Sequence, residues 1–333
     1  MSGSLPKKIR VSTGSATSLG LVEGRLAVAS TTAYLMTYRD GKCTANCSFC
    51  PQARTSRGRT DMLSRVSWPV FDTTDVLHCL EEASSKGNIK RVCIQALNYP
   101  EVFTHLVALA TALNRRSYIP LSVSCQPLNR ENLRNLAEAG VERIGVPLDV
   151  ATEALFDKIK GKSAGGPYTW IQQLALLAEA VCVFGEGRVS THVIVGLGET
   201  EKDLIETIQR CMDMGVLPAL FAFTPIPGTA LEHMTQPVIR VYRRMQVASY
   251  VLVHDLARSD AMCFDEDGHL TGFGIEKQTL MAIIRSGKPF LTSGCPDCNR
   301  PYYNEKPSGP IYNYPKKLAA SELLDVERQL GLN

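Results

Sequence analysis

From residue 32 onward, short apolar runs rich in β-branched and aromatic residues alternate with longer segments whose apolar side chains recur at helical spacing. Residues 32–38 predict a first strand. Residues 73–86 predict a helix, with Asp75 near its start and Gly87 just past its end. The alternation continues with a strand at 89–95, a helix at 101–115, a strand at 121–125 and a helix at 129–139 that stops at Gly140. A strand at 143–148 and helices at 152–160 and 170–184 follow. Residues 189–195 predict a strand closing in Gly196-Leu197-Gly198, then a helix at 200–214 ending at Gly215. Residues 219–224 run into the turn Pro225-Ile226-Pro227-Gly228. A long helix at 238–258, a short strand at 261–264, a helix at 276–285 and a last strand at 289–293 complete the pattern.

Strands alternating with helices predict a parallel sheet. About eight such units in 333 residues predict a TIM-type (β/α)8 barrel, complete or partial, with an open doubly wound sheet as the alternative. Either way ligands belong at the C-terminal ends of the strands. Residues 1–30 read as an N-terminal lead-in, 31–294 as the barrel and 295–333 as a C-terminal extension. Apolar residues make up 44% and charged residues 21%. A formal charge of +3 gives no reason to expect nucleic acid. No run is long enough to span a bilayer, and no secretory leader is evident, so a cytoplasmic, reducing compartment is expected. There the 11 cysteines read as ligands and core thiols rather than bridges.

The chemistry concentrates after the first strand, in Cys43-Thr44-Ala45-Asn46-Cys47-Ser48-Phe49-Cys50. Three thiolates within eight residues suit three corners of a 4Fe–4S cluster, leaving the fourth iron open for another ligand. A zinc site shared with the distant pair Cys295 and Cys298 is the competing reading, since zinc takes four N/S ligands. Cys79, Cys182 and Cys211 fall on or beside apolar helix faces and read as core thiols.

This cysteine spacing resembles that of the radical S-adenosylmethionine (SAM) enzymes. The resemblance implies SAM bound through its methionyl group to the open iron, with Phe49 near the adenine. Further motifs support it. His192 to Thr200 is similar to the pattern G-x-I-x-G-x-x-E, with Ile194 toward adenine, Gly196 and Glu199 in place, and His192 where the pattern has glycine. Asp149 ends the fourth strand, as a ribose ligand or as the cap of the next helix. Pro225 and Pro227 shape a segment like the adenine-contacting turn of the family. The order Cys125-Gln126-Pro127-Leu128, Asp149 and residues 195–200 is similar to biotin synthase. That family holds a second iron–sulfur cluster on cysteines from its second, third and fifth strands and an arginine from its seventh. The matching positions here are Cys93, Cys125, Ser190 and Cys263, so that set is not intact.

The extension adds Cys295-Pro296-Asp297-Cys298, a two-thiolate clamp on a Gly/Pro turn. Closing over the barrel mouth to meet Cys125 or Cys93, it would build an auxiliary 4Fe–4S cluster, the fourth ligand being left open among Cys93, Cys263 and Ser293. In this respect the chain resembles a subunit of the archaeal two-subunit lipoyl synthases. The resemblance implies cleavage of SAM to methionine and a 5′-deoxyadenosyl radical, hydrogen abstraction, and sulfur insertion at C6, C8 or both of an octanoyl-lysine. It implies as partners an octanoylated lipoyl carrier protein, a homologous second subunit and an electron donor such as ferredoxin. The alternatives are another biotin-synthase-like radical enzyme, in biotin or cofactor biosynthesis, and a non-catalytic Fe–S or zinc module.

Overall fold

The computed structural model describes residues 4–116, 119–126 and 128–331, so Pro127 of the Cys125 to Leu128 motif lies outside the described residues. Its main sheet has eight strands. In chain order these are β1 (Lys8–Val11), β2 (Thr32–Thr37), β5 (Val70–Asp72), β6 (Arg91–Gln95), β7 (Leu121–Ser124), β8 (Arg143–Gly145), β9 (Val189–Val195) and β10 (Val216–Ala222). Strands β3 (Met62–Leu63) and β4 (Val66–Ser67) form a small hairpin in the arm after the cysteines. The strands from β2 to β10 pair in parallel through β6, β7, β8 and β9. Strand β1 lies antiparallel to both β2 and β5, so part of the N-terminal lead-in joins the sheet.

Helices start where the sequence supplies caps. Asn129, Thr152, Thr169 and Thr200 each accept a hydrogen bond from a first-turn amide, and Asp203 completes a capping box with Thr200. The β9 burial pattern shows how one strand serves two environments. Val189, Thr191, Val193 and Val195 are buried, while Ser190, His192 and Ile194 are half-buried and line the barrel interior.

The barrel is partial, and the last two expected strands do not join it. Strand β11 (Cys263–Phe264) pairs antiparallel with β12 (Leu270–Gly272) in a separate hairpin. Asp265 Oδ1 accepts hydrogen bonds from the amides of Asp267 and His269, so this run satisfies its turn locally. Residues Lys288–Phe290 form a 3₁₀ turn carrying Pro289, which has no amide hydrogen to give a sheet.

The open side is covered instead by a strap, residues 291–305. The Leu220 amide donates to Ser293 Oγ at 2.8 Å, and the Thr31 amide to Asn299 Oδ1 at 3.1 Å. Farther along, Ser64 Oγ donates to the Tyr303 carbonyl at 3.3 Å and Thr224 Oγ1 to that of Asn304 at 3.2 Å. Behind the strap, buried Arg243 donates to Gln246, Gln329 and the carbonyls of Ile311 and Tyr312, between the rings of Phe290 and Tyr314.

Glu305 ends the strap with its Oε2 buried and unpartnered. Burial raises its carboxyl from 4.5 to about 7. A raised carboxyl gives stability that is full below the unfolded value and lost as pH rises through the folded one. From pH 4.5 to 7 the loss is on the order of 3 kcal/mol. Glu305→Gln is therefore expected to raise the melting temperature at pH 8 and to leave it nearly unchanged at pH 5. Calorimetry at the two pH values checks this, and an equal shift at both refutes it.

Candidate active site

The cysteine loop leaves the C-terminal end of β2 and is fixed largely by its own backbone. The Cys43 amide donates to the Gln52 carbonyl (2.9 Å), Thr44 to Asn98 (2.9 Å), Ser48 to Ile159 (2.8 Å) and Cys50 to Cys47 (3.0 Å). Asn46 donates from Nδ2 to the Ala164 carbonyl and accepts from Thr55, so the residues between the cysteines have structural work. Lys42 Nζ spans the carbonyls of Pro51 and Gly58. Cys43, Cys47 and Cys50 carry free thiols that line one cavity of about 300 Å³. Burial pushes the Cys47 thiol up to about 12 and Cys50 higher, while the Lys160 cation pulls Cys47 partly back. Among the described residues, no three His, Cys, Asp or Glu side chains are placed to hold a single metal ion. Soft thiols on a pre-formed loop, with no fourth cysteine adjacent, fit a 4Fe–4S cluster with an open iron.

Phe49, Asp149 and Ile194 line the same cavity. Asp149 does not cap the following helix, because Thr152 does. It is 5% exposed, sits at φ +73°, and binds Lys160 Nζ through Oδ2 at 2.6 Å. Lys160, fully buried, also donates to the Pro147 carbonyl and faces the rings of Phe156 and Tyr168 at 5.7 and 5.5 Å. Periodicity assigned Lys160 only to a helix end, and no sequence signal marked it as the partner of Asp149. Lys160→Met is expected to destabilise the chain by about 3–5 kcal/mol, since it strands a buried carboxylate. Adding Asp149→Asn should recover much of that loss in urea denaturation, and no recovery would show that the two groups act independently.

Other positions expected near SAM make contacts within the scaffold. Glu199 accepts from the amides of Gly196 (2.6 Å) and Leu197 (2.9 Å), locking the turn after β9. Gly196, Glu199, Pro225 and Pro227 lie outside the cavity lining, whereas Phe223 and Thr224 belong to it. The proline turn acts through Gly228. Its φ is +83°, a Cβ there would stand 2.3 Å from the Gly58 nitrogen, and its carbonyl accepts from Arg57 at 2.7 Å. The turn thereby pins the arm that follows the cysteines.

A second group of thiols faces the same cavity from another level. Cys93 on β6 stands with Cys295 and Cys298, and its thiol is pushed up by burial first and by those two thiols next. Tyr34 Oη is 3.3 Å from Cys298 Sγ, Ser122 Oγ 3.5 Å from Cys295 Sγ, and Gln95 Nε2 3.2 Å from Cys93 Sγ. The clamp does not close over the mouth. Thr31, Thr32, Lys90 and Arg91, at the starts of β2 and β6, contact Asp297 or the Pro296 carbonyl, which places the clamp at the N-terminal end of the strands.

Cys125 and Cys263 stand apart from this group. A Cβ at Gly145 would lie within 3.5 Å of Ser124 and Ser190, so those residues share the interior face and Cys125, one position on, takes the other. Cys125 borders the cavity but is 2% exposed within the main apolar core, and burial alone pushes its thiol up to about 12. Cys263 is exposed on the β11–β12 hairpin and does not line the cavity. Ser293 Oγ is already engaged by the Leu220 amide. Of the expected core thiols, Cys211 is buried, Cys79 half-buried and Cys182 exposed. Among the described residues, no helix is long and apolar enough to cross a membrane.

Known proteins share these features. Residues 41–211 match the model of the radical SAM superfamily. The biotin synthase of Sulfurihydrogenibium sp. (strain YO3AOP1) is 26% identical over 292 residues, 78% of this chain and 83% of that protein. The biotin synthase of Clostridium perfringens (strain ATCC 13124) is 27% identical over 202 residues, 59% of this chain and 58% of that protein. The crystal structure of methylornithine synthase superposes with a TM-score of 0.51 at 14% identity, covering 66% of this chain and 62% of that one, a likeness of fold. With the cysteine loop at the end of β2 and a partial parallel barrel behind it, the chain belongs to the radical SAM superfamily.

Proposed function

We propose that this chain is a biotin synthase-like radical SAM enzyme that carries a second iron–sulfur cluster and inserts sulfur into an unactivated C–H bond. The observation that carries the proposal is the convergence of Cys93, Cys295 and Cys298 on the cavity that also holds Cys43, Cys47 and Cys50. A 4Fe–4S cluster with SAM supplies a one-electron reductant and, from SAM, a radical able to take hydrogen from carbon. The chain's own residues do the rest. Cys43, Cys47 and Cys50 hold the first cluster, and Phe49, Ile194 and the Asp149–Lys160 pair form the wall beside it. Cys93, Cys295 and Cys298 would hold the second, which would supply the sulfur. The mostly apolar lining, with Trp68 and Phe223 buried at its edge, keeps water from a reactive centre.

A lipoyl synthase subunit is the second reading, favoured by the C-terminal cysteine pair reaching Cys93. Its substrate is an octanoyl-lysine on a carrier protein, with a homologous subunit and a ferredoxin-type donor as partners. Iron and sulfide content tests the shared part: about eight irons per chain supports two clusters, and about four refutes the second. Incubation with SAM, reductant, candidate partner and an octanoyl-lysine peptide separates the readings. Mass gain from sulfur supports lipoyl synthesis, and deoxyadenosine without sulfur transfer counts against it.

A further inference from the structure

Between the two cysteine groups the cavity wall changes character around one ring, Phe221. The Arg300 guanidinium stacks on it at 3.8 Å. His192 meets it edge-on at 4.8 Å and Tyr303 at 5.7 Å. His192 comes from the interior face of β9, one layer below Ile194, while Arg300 and Tyr303 come from the strap. The Tyr303 phenol is pushed up by burial and next by the Cys50 thiol, with Cys93 also contributing, so it stands between the two groups.

These side chains are not saturated by the protein. Among the described residues, neither the His192 ring nor the Tyr303 hydroxyl makes a hydrogen bond, and His192 Nδ1 is 3.8 Å from Asp149 Oδ1. Arg300 Nη2 donates to the Ser293 carbonyl, but Nε is buried without a partner. Among the described residues no carboxylate forms an ion pair with Arg300: Asp149 is held by Lys160, and Glu305, whose carboxyl feels the Arg300 charge, lies outside the cavity lining, while the Cys298 thiol lies against the guanidinium. A half-buried cation whose Nε is buried without a partner, beside an unbonded phenol and imidazole, suits an anion. The backbone is strained to hold it there, with φ +30° at Arg300 and +57° at Tyr302.

We propose that His192, Arg300 and Tyr303 dock a substrate carboxylate in the section of the cavity between the two cysteine groups, an inference that rests on the two-cluster reading above. Guanidinium, phenol and imidazole all donate, so the matching group is rich in acceptors. Apolar side chains elsewhere on the same cavity lining, such as Met36, Leu63 and Trp68, then face the hydrocarbon part of the same molecule. The substrate is therefore a small aliphatic acid entering with its carboxylate buried.

Octanoate and octanamide are suitable probes, since they differ only in that group. Calorimetric titration of the anaerobic, reconstituted full chain is expected to give octanoate at least about tenfold tighter binding than octanamide. His192→Gly and Arg300→Gln should each remove most of that preference, weakening octanoate more than octanamide. Equal binding of the two probes, no octanoate binding, or a preference that survives in both variants overturns the proposal. Because Arg300 lies against Cys298, His192→Gly decides if Arg300→Gln fails to fold. Iron content of the same wild-type samples separates the two levels. About eight irons with no carboxylate preference rejects the docking station alone, whereas about four rejects the two-cluster reading beneath it.

Discussion

Cys47→Ala is expected to abolish reductive SAM cleavage, lowering deoxyadenosine formation by at least about 10³-fold while the chain stays folded. The loop around Cys47 is held by backbone bonds from Cys43, Thr44, Ser48 and Arg54 and by the Asn46 amide, none of which needs the Cys47 thiol. Alanine therefore removes one cluster ligand and little scaffold. The thiol is half-buried and feels the Lys160 cation. Iron should fall by about four atoms per chain, with the Cys93, Cys295 and Cys298 group retaining its share. Chromatography of deoxyadenosine with iron analysis checks both parts. Persistent cleavage would remove Cys47 from the cluster, and loss of all iron would mean that the two sites do not load independently.

The residues of the first site were legible because their signal is local. Three cysteines in eight residues need no knowledge of tertiary structure, and neither does a strand closing in Gly196-Leu197-Gly198. What escaped depended on contacts between distant segments. Residues 261–264 have the composition of a strand, and nothing in their pattern says whether their partner is the barrel or a hairpin six residues on. Cys125 and Ser124 differ by one position, and a shift of one residue exchanges the two faces of a strand. Neither spacing nor composition shows which end of the barrel the Cys295–Cys298 clamp reaches. That is set by Thr31, Lys90 and Arg91 at the strand starts and by a strap replacing two expected strands. Lys160, Arg300 and Tyr303 carry no motif, and His192 stands out only as a departure from one. Only the fold aligns them on one cavity.

Separating the thiol groups along the barrel axis has a consequence for Cys298→Ala. The first site sits where the strands end and the second where they begin, with Phe221, His192 and Tyr303 between them. Alanine at 298 removes a thiol whose neighbours are Tyr34, Arg300, Cys295 and Cys93, none of them in the cysteine loop. SAM cleavage is therefore expected to stay within about threefold of wild type. Sulfur transfer should fall by more than about 10²-fold, because a cluster missing one of three thiolates is not retained. Iron content falls by about four atoms per chain, the complement of the Cys47→Ala result. Deoxyadenosine is then made without sulfur appearing in product, and mass spectrometry of the same reaction reads both. If cleavage and transfer are lost together, the two sites share one metal group. If transfer survives, the sulfur comes from somewhere other than the group that Cys298 helps to hold.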